Sequence, residues 1–185
     1  MTAPRTRRVS ALVRALFVFA FALSAAGQSQ SISTVPDLTL PDVRGGTFHL
    51  RSQPAQPLLL AFLETVPDTA DTPSRSQVVF LASMAHQYGP RGLRVAIVDA
   101  SALARGSSPS RDAVLNASYD WQLKIPLLLD PDKKLARAMG VDGVPTTLLI
   151  AADGNILHRW RGFTPPAVLA LEIEKLLGGP LAVTP

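Results

Sequence analysis

Thr72 and Ser74 are two hydroxyls flanking Pro73, and Glu64, Asp68 and Asp71 are three acids in the stretch leading up to them. Histidines occur at 49, 86 and 158, and cysteine occurs nowhere in the 185 residues. An alcohol becomes a nucleophile only beside a positioned general base. His86 lies twelve residues beyond Ser74; on one helix, at ~1.5 Å per residue, that is roughly 18 Å away. His49 and His158 have no position fixed by sequence, and no G-x-S-x-G elbow supports a serine hydrolase. Helix capping is therefore the expected role of Thr72 and Ser74. Glu64, Asp68 and Asp71 could offer oxygens to a hard cation, yet their spacing matches no EF-hand loop. They read as solvated loop acids, and the sequence assigns neither a metal nor a cofactor. His49, next to Phe48, reads as a half-exposed strand residue, and His158 and Trp160 as neighbours packed on one strand face.

The elements that must position these residues are legible from pattern. Val35–Val43 is extended and interrupted by prolines, and Arg44-Gly45-Gly46 turns it into Thr47–Leu50 as a short hairpin. Leu58–Leu63 is continuously apolar, as a strand covered on both faces should be. Pro73 suits the first position of a helix with Thr72 as its N-cap, running to about Tyr88. Val78, Val79, Leu81, Ala82 and Ala85 form its expected inner side, and Gly89-Pro90 its stop. Leu93–Val98 is a strand, Ala104–Pro109 a loop, and Ser110 the cap of a helix reaching Tyr119. The sequon Asn116-Ala117-Ser118 falls inside that helix and is taken as coincidence. Ile125–Asp132 is a strand and turn, Lys133–Met139 a short helix with Leu135 and Met139 inward. Pro145 opens the next strand, because proline cannot donate to a ladder and belongs at a strand's first residue. Ala152–Asn155 is a hairpin turn into a strand on which Ile156, His158 and Trp160 share one face. Thr164-Pro165-Pro166 starts a last helix with Leu169, Ile173, Leu176 and Leu177 as its stripe.

Charge excludes one class of partner. The formal net charge is +4, but Arg5, Arg7, Arg8 and Arg14 all lie in the first 27 residues, and the remainder balances 14 basic against 14 acidic side chains. That leaves no basic face for nucleic acid. Those 27 residues read as a signal peptide: arginines, an apolar run Ala15–Ala26, then small residues for cleavage. The run is short for a bilayer span, which needs ~20 residues, so a membrane is met only if the segment stays uncleaved. Residues 28–34 read as a flexible linker, 35–179 as the folded domain and 180–185 as a disordered tail.

Taken together, the opening Pro36-Asp37-x-x-Leu40-x-Asp42-x-x-Gly45 and the unbroken phrase from Pro126 through Asp130-Pro131-Asp132, Leu135-Ala136 and Gly140-Val141 to Gly143-Val144-Pro145-Thr146-Thr147 resemble the periplasmic TlpA-type redoxins. These belong with the alkyl hydroperoxide reductase and thiol-specific antioxidant proteins. The resemblance implies an α/β, thioredoxin-like fold: a central mixed β-sheet flanked by helices, with an N-terminal β-hairpin. It implies a cis-proline at Pro145 and export to the periplasm or cell envelope. It also places the family's two thiols in the loop Glu64–Arg75. Counted directly from Phe62 the slots fall on Pro67 and Ala70; with a four-residue insertion they fall on Asp71 and Ser74, and Arg75 matches the arginine after the motif. The second register is preferred because Thr72-Pro73 starts the helix soundly.

Glu64, Pro67, Asp68, Ala70 and Asp71 thus form a degenerate active-site loop with no catalytic residue. The leading expectation is a non-catalytic module that binds an envelope protein or peptide along Thr72, Pro73, Ser74, Val144, Pro145 and Thr146. The alternatives are an oxidoreductase or peroxidase relative active only through a partner or cofactor, a metal-binding variant, or a purely structural envelope role.

Overall fold

Every residue of Leu58–Leu63 (β3) is buried, and the alternation of a strand sends its side chains into two separate cores. Leu59, Ala61 and Leu63 enter one; Leu58, Leu60 and Phe62 enter the other. The computed structural model describes residues 33–52, 55–67 and 72–179. The expected signal peptide 1–27, most of the linker 28–34, the tail 180–185, and Asp68, Ala70 and Asp71 lie outside the described residues.

Around β3 a five-stranded sheet has the order β5-β4-β3-β6-β7, with β4 (Arg94–Asp99), β5 (Leu127–Leu129), β6 (Thr146–Ile150) and β7 (Ile156–Arg161). β4 and β5 run parallel to β3, whereas β6 and β7 are antiparallel. A two-stranded hairpin of β1 (Thr39–Pro41) and β2 (Thr47–His49) forms a second sheet, joined to β5 by a bridge between Asp42 and Leu128. One core lies between the sheet and the helices α1 (Pro73–Tyr88), α3 (Arg111–Asp120) and α5 (Pro166–Leu176). The other takes Leu40 and Leu50 from the hairpin region and Leu135 from α4 (Lys134–Ala138). This is the thioredoxin-like mixed sheet with flanking helices and an N-terminal hairpin.

Several local readings are revised. Val79 is 65% exposed; the inner face of α1 is instead Ser74, Gln77, Val78, Leu81, Met84 and Tyr88. Steps of three and four residues keep these on one stripe, and Val79, about 100° from Val78, falls outside it. Gly89-Pro90 does not stop the chain's helical path, since Gly89–Arg91 continues it as a 3₁₀ turn. The stop is Gly92, whose φ of 92° is left-handed and suits glycine. Ser101–Arg105 forms a short helix, α2, which takes Ala104 and Arg105 from the expected loop. Of the strand and turn expected over Ile125–Asp132, the strand keeps only Leu127–Leu129, and Asp130 beyond it caps α4: its carboxylate accepts from the Leu135 and Ala136 amides at 3.0 and 2.8 Å.

On β7 the expected single face is broken by a bulge. Leu149 pairs with His158 and Ile150 with Ile156, so Leu157 is an extra residue. Ile156 consequently packs with the hairpin-side core, while Trp160 packs with the α1/α5 core. At this same N-terminal end of β7, Ser33 and Thr34 run alongside it: the Ile156 amide donates to the Ser33 carbonyl at 2.7 Å, and Thr34 bridges Asn155.

Candidate functional site

Three elements end at one end of the sheet: the C-terminus of β3, the N-terminus of α1 and the N-terminus of β6. Phe62 pairs with Thr146, and two residues beyond Phe62 the Glu64 amide donates to Ser74 Oγ at 3.0 Å. α1 starts as its sequence dictates. Thr72 is extended, Pro73 supplies a first helical residue with no N–H to orphan, and Thr72 Oγ1 accepts from the Arg75 amide at 3.2 Å.

The chain leaving β3 is held at Thr65 and Val66 by a buried polar cluster. Asp99 Oδ1, at the end of β4, accepts from Thr65 Oγ1 at 2.7 Å, from Ser101 Oγ at 2.6 Å and from the Ser101 amide at 3.2 Å. Ser101 Oγ in turn accepts from the Thr65 amide at 3.0 Å. Hydroxyls and amides converging on one carboxylate satisfy groups that burial would otherwise penalise. Glu64 and Pro67 are half-buried at either end of this anchored stretch.

Ser74 is 2% exposed and Thr146 is 1% exposed, so both hold backbone rather than offer a surface. Ser74 accepts the Glu64 amide, and Thr146 Oγ1 donates to the Gly143 carbonyl at 2.7 Å. The Val144–Pro145 peptide is cis, and the Pro145 carbonyl accepts from the Gly162 amide at 2.8 Å. No histidine serves Ser74. His49 Nδ1 is 2.7 Å from Thr39 Oγ1 on the hairpin, His86 sits in the last turn of α1, and His158 Nε2 is 3.1 Å from Glu172 Oε2 and stacked on Trp160. Among the described residues no three His, Asp or Glu side chains cluster as a metal site.

Sequence reading missed one participant, Phe163. With Thr72, Pro73 and Ser76 it lines an open apolar recess of about 350 Å³, and it is 42% exposed. Its ring meets Phe80 edge-on at 5.7 Å. The loop carrying it is fixed by Gln77, whose Oε1 accepts from the Thr164 amide at 2.7 Å. The only hint in the sequence is a large aromatic following Gly162, itself left-handed at φ 81°.

A β-α-β unit followed by an antiparallel β-β-α unit, with a helix N-terminus and a Val-Pro-Thr strand start meeting at one sheet end, defines a thioredoxin-like protein. The chain belongs to the AhpC/TSA family, whose model matches residues 33–159. Among curated proteins it is similar to the thiol-disulfide oxidoreductase ResA of Bacillus thuringiensis subsp. konkukian, 22% identical over 127 residues, covering 69% of this chain and 67% of that one. ResA of Bacillus subtilis is 24% identical over 125 residues, covering 68% and 64%. In fold it resembles StoA from Bacillus subtilis, with a TM-score of 0.63, 15% identity, and 77% and 99% of the two chains covered. It likewise resembles the thioredoxin domain of a thiol-disulfide oxidoreductase from Bacteroides vulgatus, with a TM-score of 0.64, 16% identity, and 80% and 98% covered. The chain is therefore a redoxin-family relative of thiol-disulfide oxidoreductases that contains no cysteine.

Proposed function

We propose that this chain is an exported redoxin-family protein that works without thiol exchange and holds an extended protein or peptide segment at the N-terminus of α1. The observation that carries this reading is the recess formed by Thr72, Pro73, Ser76 and Phe163, apolar and open where the family resemblance expects a nucleophile. An exposed aromatic beside a preformed apolar hollow is the kind of anchor pocket that a docking segment fills. Val144, Pro145 and the Gly162–Thr164 loop would flank the segment, with backbone hydrogen bonding in the strand-addition mode. Exchange of a disulfide requires a thiolate to attack sulfur, and this chain supplies none. Ser74, the preferred slot for a family thiol, is buried and engaged with the Glu64 amide. The arginines and apolar run of residues 1–27 support export to the periplasm or cell envelope.

The test is a screen of the chain against a library of extended peptides, with the binders then titrated against parent, Phe163→Ala, Pro73→Ala and Pro145→Ala. At least tenfold weaker binding by Phe163→Ala and Pro73→Ala, with a control Val79→Ala unchanged, is expected. Binders indifferent to Phe163 and Pro73 would move the interaction to another surface. Turnover of a disulfide or peroxide by the purified parent would sink the thiol-free reading itself.

A further inference from the structure

The first residues of β3 and β4, Leu58 and Arg94, pair at the end of the sheet opposite the α1 recess. There a cavity of about 490 Å³ is lined by Thr47, Phe48, His49, Arg51, Ser52 and Arg94. Both arginines are held by backbone carbonyls. Arg94 Nη2 and Nη1 donate to the His49 and Leu50 carbonyls at 2.6 and 3.2 Å, and its guanidinium lies 4.2 Å from the centre of the Phe48 ring. Arg51 Nε and Nη2 both donate to the Val35 carbonyl, at 3.2 and 2.9 Å. Among the described residues neither guanidinium has a carboxylate partner, and no acid is among the lining residues.

This is an unbalanced arrangement. A guanidinium partly withdrawn from water is normally compensated by an anion, and burial pushes the Arg94 guanidinium down from its ordinary value. Carbonyl dipoles fix the two forks in place but cancel neither charge. A guanidinium has five N–H donors in a planar fork suited to carboxylate and phosphate. Arg51 Nη1 and Arg94 Nε make no hydrogen bond to another described residue. The hydroxyl of Thr47 and the imidazole of His49 add polar groups to the lining, and Phe48 gives it an apolar wall. The volume is within the ~300–1,000 Å³ of small-molecule sites, far larger than a bare inorganic ion needs.

We propose that this cavity binds a small organic oxyanion, a carboxylate or phosphate monoester with an apolar body, its charge held between Arg51 and Arg94 and its body against Phe48. The site is separate from the α1 recess and does not depend on the docking function.

The experiment is an NMR titration of the ¹⁵N-labelled chain with phenyl phosphate, benzoate, inorganic phosphate and benzyl alcohol, following the arginine Nε–H signals. The expected result is a saturable shift at Arg51 and Arg94 with phenyl phosphate or benzoate, at least tenfold weaker with inorganic phosphate and absent with benzyl alcohol. The comparison of the first two probes tells a phosphate from a carboxylate ligand. Arg51→Gln, at an exposed position, should weaken the binding at least tenfold with the dispersed amide spectrum of the fold retained, and Arg94→Lys, which keeps charge but loses the fork, should weaken it too. Arg161→Gln, which breaks a surface pair with Asp142 elsewhere, should leave it unchanged. No saturable shift with either organic anion, equal affinity for inorganic phosphate, or undiminished binding by Arg51→Gln would each overturn the proposal.

Discussion

Gln77 and Thr164, on different elements, exchange two hydrogen bonds: the Thr164 amide donates to Gln77 Oε1 at 2.7 Å, and Gln77 Nε2 donates to the Thr164 carbonyl at 3.3 Å. The Gln77 side chain thereby imitates a strand neighbour and clips the loop before α5 onto the first turns of α1. Phe163 is the residue next to the clip, so one buried amide fixes an exposed aromatic. Gln77 is fully buried. Its replacement by alanine strands the Thr164 amide and carbonyl, a cost of about 1–3 kcal/mol. Denaturant unfolding should report a loss of that size for Gln77→Ala. Gln77→Glu, which keeps the acceptor but introduces a buried charge, should lose at least as much.

Ser74 gives a prediction about lost chemistry. Ser74→Cys creates the chain's only thiol at the helix start, the slot that the family resemblance favours for a redox cysteine. A helix N-terminus lowers a thiol's pKa, but reaction also needs access. The site is 2% exposed and faces the Glu64 amide. Alkylation by iodoacetamide should accordingly be at least tenfold slower in the native protein than in denaturant, and the variant should fail to reduce disulfides. Rapid native labelling would show that this end of α1 opens readily.

Tyr88 supplies a pH dependence. Its side chain is buried, and its hydroxyl donates to Glu174 Oε1 at 3.0 Å, tying α1 to α5. Burial, then the bond and charge of Glu174, push the phenol above its ordinary value of 10.0, against a smaller opposing pull from Arg91. A raised folded pKa means that the native state holds the proton more tightly than the unfolded chain. The stabilisation is therefore complete below pH 10 and is lost as pH rises through the folded value. The chain has two tyrosines, so Tyr119→Phe leaves Tyr88 as the sole phenol. Its ultraviolet titration should fall above 10, and unfolding at alkaline pH should release it. Tyr88→Phe should flatten the alkaline decline in stability.

Much of this protein follows from local chemistry that any reader of the chain can follow. Leu58–Leu63 is apolar at every position because both its faces are covered, and Thr72-Pro73 starts a helix because proline needs no partner for a missing N–H and threonine can cap. The absence of cysteine needs no structure at all, and it alone removes the family's thiol chemistry. The cap that Asp130 gives α4 is not legible: in sequence Asp130 ends a strand and turn, and only the fold brings its carboxylate onto the Leu135 and Ala136 amides. Tertiary structure decided what depends on distant partners. The bulge at Leu157 turns Ile156 and Trp160 to opposite faces because β7 must pair with β6, a constraint written in neither strand alone. Ser74 is withdrawn from any surface by an amide ten residues away. Phe163 joins the recess through Gln77, eighty-seven residues from Thr164 in sequence. Sequence periodicity reports which side of an element is apolar; which distant group meets it is fixed only when the sheet closes and its buried polar atoms must find partners.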